Sequence, residues 1–162
     1  MTLTHLDQAG RPRMVDVGSK SESERTASAS GSIRMKPEAF DLVERNINPK
    51  GDVLSTAELA GVMGAKKTAE LIPLCHPIGL DHVQVTASLD PELPGVTVRA
   101  QAKAMGRTGV EMEALTAVAA ALLTVYDMVK SSGHAMEIGA IRLEEKTGGT
   151  RGDWSTEKRT TE

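Results

Sequence analysis

Asp127 and Lys130 stand three residues apart in an apolar run, Gly109 to Ser132, whose spacing predicts one long helix. At about 100° of rotation per residue, Leu115, Val118, Leu122, Val125 and Val129 form one stripe. Glu113, Asp127 and Lys130 fall within an arc of about 100° beside it. A carboxylate next to an ammonium in a cleft can supply a base and an acid from a rigid scaffold. The same spacing also describes an ordinary surface ion pair, worth under about 1 kcal/mol.

Other segments carry candidate chemistry. Lys66 shares a predicted helical face with Leu59, Val62 and Met63, and Glu70 follows one turn later. A lysine on an apolar stripe needs a partner or a cavity, or else it snorkels and pairs with Glu70. Pro73-Leu74-Cys75-His76-Pro77 is a rigid connector, because each proline restricts the backbone around Cys75 and His76. It could grip a planar base or a phosphate, or simply join a helix to a strand. Lys50 lies in the loop Asn48-Pro49-Lys50-Gly51-Asp52, beside a helix start where an anion could sit. Lys146-Thr-Gly-Gly-Thr-Arg-Gly152 could wrap phosphates through backbone N–H groups, or could be a frayed tail. Gly61 to Thr68 superficially resembles a phosphate loop, but its spacing is wrong and it lies within a helical pattern. No Cys/His cluster has metal-ligand spacing, so no metal site is expected.

Composition narrows the partners. The chain has 162 residues and a net charge of −3, with one Phe, one Tyr and one Trp. So few aromatic rings argue against an RNA-binding sheet, and the negative balance argues against nucleic acid or anionic membrane generally. A single cysteine, Cys75, precludes an internal disulfide. Neither a signal-peptide core nor an apolar run of spanning length is apparent, so a cytoplasmic protein is expected.

The elements that must position these residues read in order. Residues 1–24 are polar and read as a flexible arm with a short extended piece at Met14–Val17. Arg25–Arg34 alternates as a strand, and Pro37 opens a short helix through Asn46. A second helix runs from Val53 to Ile72, stopped by Pro73. His82–Leu89 and Val96–Met105 form a hairpin across the turn Asp90–Gly95. The long helix and a last strand, Met136–Leu143, complete an α+β, ferredoxin-like split βαβ sandwich, with an antiparallel sheet and helices on one face. The domain spans 25–154, and 155–162 reads as a disordered tail.

Met14-Val-Asp-Val17, Lys50-Gly-Asp-Val53, Leu71-Ile-Pro-Leu-Cys-His-Pro77, Thr108-Gly-Val-Glu-Met-Glu-Ala-Leu-Thr116, Tyr126-Asp-Met128 and Arg142-Leu-x-x-Lys146-x-Gly-Gly149 occur in this order. Together they resemble the cyclic pyranopterin monophosphate synthases of molybdenum cofactor biosynthesis. The resemblance implies a homohexamer of three dimers with sites shared between subunits. It implies conversion of the cyclic 3′,8-dihydro-GTP intermediate, supplied by an upstream radical SAM enzyme, to cyclic pyranopterin monophosphate and diphosphate. No cofactor is implied, although Mg²⁺ could accompany the triphosphate or diphosphate. By match to the family's motifs, Asp127, Lys130 and Lys50 are catalytic. Leu74, Cys75, His76, Met112, Glu113, Glu111, Lys66, Arg25 and Lys146 bind substrate. One departure is Thr150 where a lysine is common, followed by Arg151. The alternative is a non-catalytic ferredoxin-like sensor of a purine nucleotide, which would return its ligand intact.

Overall fold

Alternation of small apolar and polar residues makes β1 (Ser23–Arg34), whose Ala27, Ala29, Gly31 and Ile33 are buried on one face. The computed structural model describes residues 9–149 and 152–156. The helices α1 (Pro37–Glu44), α2 (Val53–Lys66) and α3 (Thr68–Leu71) follow. The hairpin β2 (His82–Asp90) and β3 (Gly95–Gly106) then leads through α4 (Glu111–Val129) and a 3₁₀ turn, Lys130–Ser132. Among the described residues β4 (Glu137–Thr147) and β5 (Trp154–Ser155) come last. The sheet order is β2-β3-β1-β4-β5, and every pair is antiparallel. The first four strands have the split βαβ, ferredoxin-like order, with α2 and α4 packed on one face. The expected fold class is therefore present.

Core packing depends on small residues. Val118, Leu122, Val125 and Val129 of α4 are fully buried, and Leu115 is half-buried at the stripe's end. At Gly64 of α2, a Cβ would stand 2.6 Å from the Ala120 Cβ and 3.2 Å from the Thr116 carbonyl oxygen. The two helices approach that closely only because glycine is there. Gly64→Val should therefore lower stability by about 1–3 kcal/mol through overpacking. Urea unfolding checks this, and an unchanged midpoint would show that α2 moves aside freely.

Three expectations change. The helix predicted over Val53–Ile72 breaks at Lys67 (φ −107°, ψ 9°). There the buried Thr68 hydroxyl donates to the Ala65 carbonyl at 2.9 Å and competes with the helical ladder. The last strand runs on to Thr147, and Trp154–Ser155 folds back to pair with Lys146 and Glu145. Finally, Glu111–Ser132 is long and apolar enough to cross a membrane by length and composition, at 22 residues and mean hydropathy 1.5. It serves here as the core helix, packed against α2, β1 and β3. The expectation that no run reaches that length is thus corrected. Residues 1–8 and 157–162, which hold most of the predicted terminal tail, lie outside the described residues, as do Thr150 and Arg151.

Candidate active site

The fold gathers one end of the sheet into a cavity of about 430 Å³. On β1 the buried alternation continues to Arg25, which therefore points inward at the strand's start and lines the cavity. The connector contributes Leu74, Cys75, His76 and Ile78. The turn between β3 and α4 contributes Arg107, Thr108 and Gly109, and the first turn of α4 contributes Glu111, Met112 and Glu113. The end of β4 brings Lys146, Gly148 and Gly149, and the N-terminal segment brings Val15, Val17 and Lys20. That segment is held by His76, whose Nε2 lies 2.8 Å from the Val15 carbonyl oxygen. Because a carbonyl only accepts, this bond requires the proton on Nε2.

Charge defines what the cavity can take. Lys20, Arg25, Arg107 and Lys146 oppose Glu111 and Glu113. Lys146 is tied to Glu111 at 2.9 Å, both about 70% shielded from water (relative side-chain exposure 29% and 28%). The N-terminal end of the 19-residue α4 opens here with no side-chain cap, adding the positive end of its dipole. The set suits a polyanion that also carries N–H donors. Burial and then the Glu113 charge push the Cys75 thiol up, so Cys75 is a neutral wall and a poor nucleophile. Its N–H is donated to the Ile72 carbonyl at 3.1 Å, so it is not offered to the cavity.

Glu113 is 4% exposed, and no ion pair neutralises it among the described residues. Burial, and then the Glu111 charge, raise its carboxyl pKa above the ordinary value of 4.5. The folded protein thus binds more protons than the unfolded chain between those two pKa values, and stability falls as pH rises through that window. Glu113→Gln should therefore unfold at a higher temperature than wild type at about pH 8 and converge with it near about pH 4. A variant no more stable at the higher pH would remove the idea that this carboxylate is kept for binding at a cost to folding.

At the other end of α4, Asp127 is 3.1 Å from Lys50 and 2.6 Å from Lys130, one ammonium on each carboxylate oxygen. The bond to Lys130 and then that to Lys50 hold its carboxyl below the usual range, and Asp127 in turn pushes the Lys130 ammonium up. Lys50 also donates to the Asp127 backbone carbonyl at 2.7 Å. Buried Asn48 sets the loop: its amide donates to the Met128 carbonyl at 3.0 Å, and its oxygen accepts from the Lys50 N–H at 2.9 Å.

Eight of the nine predicted binding residues line the cavity; Lys66 does not. Of the predicted stripe, Leu59, Met63 and Lys66 are exposed and only Val62 packs partly against the core, because α2 buries Ala57, Gly61, Gly64 and Ala65 instead. The pair expected between Lys66 and Glu70 is made by Lys67 at 3.3 Å, since the break at Lys67 resets the register. Lys50, Asp127 and Lys130 form one cluster, as their motif suggests, but fourteen residues along α4 put Asp127 about 21 Å from Glu113. The shared flank was a matter of rotation and said nothing of that rise. Lys20, Arg107 and Asn48 escaped the sequence reading. A cation in the tight Gly106-Arg-Thr-Gly109 turn before an uncapped helix was the available signal for Arg107.

Fold and site together define a ferredoxin-like protein with a cation-rich cavity at one end of its core helix. Comparison with known proteins narrows this further. Residues 14–149 match the model of the MoaC family, and the chain belongs to that family. It is 57% identical over 153 residues to a cyclic pyranopterin monophosphate synthase of Brucella ovis, covering 94% of this chain and 93% of that protein. The protein of that name from Brucella melitensis shows the same figures, and that from Brucella canis is 56% identical.

Proposed function

We propose that this chain converts (8S)-3′,8-cyclo-7,8-dihydroguanosine 5′-triphosphate to cyclic pyranopterin monophosphate and releases diphosphate, as a lyase of molybdenum cofactor biosynthesis. The observation that carries this is the pairing of a four-cation cavity containing one buried carboxylate with a Lys–Asp–Lys cluster, in a chain 57% identical to enzymes of that name. Lys20, Arg25, Arg107 and Lys146 meet the triphosphate. Glu113 accepts from the N–H groups of the guanine-derived ring. Ring opening and reclosure to a pterin need proton transfers, which fall to Asp127, Lys130 and Lys50. A sugar hydroxyl then attacks the first phosphorus, forming the cyclic phosphate as the bond to diphosphate breaks; cation charge and positioning dominate that step.

The two halves lie about 21 Å apart in one protomer, so in this reading a second copy brings its Asp127 cluster to the first copy's cavity. This supports shared sites, as in the expected homohexamer of three dimers. The substrate is supplied by a radical SAM enzyme acting on GTP, and the reaction belongs to the cytoplasm, with neither nucleic acid nor membrane as partner. The steps call for no resident cofactor, and Mg²⁺ would arrive with the triphosphate or leave with the diphosphate. Incubation with freshly made cyclic intermediate, followed by mass spectrometry, tests the reading. Cyclic pyranopterin monophosphate is expected; intact intermediate returned from a tight complex would instead indicate a sensor.

A further inference from the structure

Arg25 is tied into the fold as well as lining the cavity. It is 9% exposed, its Nε donates to the Gly106 carbonyl at 3.3 Å, and it reaches the cavity wall. On its other side lies Gly149. A Cβ there would fall 1.7 Å from one guanidinium nitrogen and 2.9 Å from Cζ. Gly148 meets a different obstacle, since its Cβ would stand 2.1 Å from the Glu24 carbonyl oxygen. Both have left-handed backbone (φ +86° and +89°), and the Gly148 N–H is held by Asp153 at 3.0 Å. The neighbouring Thr147 hydroxyl is bonded to that of Thr26 at 2.6 Å, which keeps the end of β4 against β1.

We propose that Gly149 is a positioning residue: its bare backbone clamps the Arg25 guanidinium, so that the remaining N–H groups of Arg25 meet a phosphoryl group of the substrate already oriented. This rests on the cavity being the triphosphate site. The arginine then loses its rotamer freedom on folding rather than on binding, which strengthens each bond to the anion. A side chain at Gly149 would push the guanidinium off its Gly106 anchor and away from that position.

The probe is inorganic diphosphate, the released product, titrated calorimetrically into the full chain, with substrate KM and kcat measured beside it. Gly149→Ala should weaken diphosphate about tenfold, as loss of one charge-assisted contact does, and should raise KM more than it lowers kcat. Gly10→Ala is the control. It imposes the same left-handed strain (φ +75°), but its Cβ would meet nothing within 4 Å, and affinity should stay within about twofold. Arg25→Lys lacks the nitrogen that collides with the new Cβ, so Arg25→Lys/Gly149→Ala should bind no worse than Arg25→Lys alone. Equal losses in Gly149→Ala and Gly10→Ala, or additive losses in the double variant, would overturn the clamp and leave the activity intact. Wild-type protein that neither binds diphosphate nor forms product would bring down the reading beneath it, and the clamp with it.

Discussion

Asp127→Ala is expected to cut the single-turnover rate about a thousandfold, the range for loss of a positioned acid–base group, while substrate affinity changes little. Asp127 is more than half exposed and belongs to the cluster rather than the cavity, so the substrate-binding cations and Glu113 stay in place. The thermal midpoint should also hold, because exposed ion pairs contribute little to stability. What disappears is the group that gathers two ammonium ions around one point. The pH dependence has a definite sign. Lys130 and Lys50 lower the Asp127 pKa, so its carboxylate persists into more acidic solution than an ordinary aspartate would. Lys50→Ala should therefore shift the acidic limb of the rate profile upward. Rapid-quench measurement decides the matter, and a single-turnover rate near wild type in Asp127→Ala would remove Asp127 from the chemistry.

The second large effect concerns pairs of inactive subunits. If each site takes its cavity from one copy and its Lys–Asp–Lys cluster from another, two dead variants can rescue one another. Asp127→Ala lacks a working cluster, and Arg25→Ala lacks a key cation of the cavity. Randomly mixed two-fold dimers should regain about a quarter of the wild-type sites, because half are heterodimers and each holds one intact site of two. Co-expression with two affinity tags and assay of the doubly tagged dimers, in which about half of the sites should be intact, measures it. Activity no greater than the sum of the separate variants would mean that each site is complete within one chain. In that case the 21 Å would have to be bridged by movement of a single chain, for which the packed α2–α4 interface leaves little room.

Much of this molecule is local and therefore legible before folding. The alternation in β1, β2 and β3 and the apolar stripe of α4 state which face each element buries, since side-chain direction follows directly from helical and strand periodicity. Their order then leaves few topologies, and the split βαβ order is the one observed. The clusters around Cys75 and Glu113 were likewise marked by contiguous motifs. What periodicity could not reveal was depth and distance. Lys66 sits on a patterned apolar face, yet that face is exposed, because the close approach at Gly61 and Gly64 turned the small-residue side of α2 toward α4. Glu113 and Asp127 share a flank but stand at opposite ends of the helix, since rotation repeats every turn while rise accumulates. Gly149 appears in the sequence only as half of a glycine pair. Its contact with Arg25 spans more than a hundred residues and exists only once β4 has paired with β1. Residue type and spacing thus determined the elements, their order and the chemistry available. Tertiary packing alone decided which groups meet, because contacts between distant segments depend on the fit of whole surfaces rather than on any local pattern.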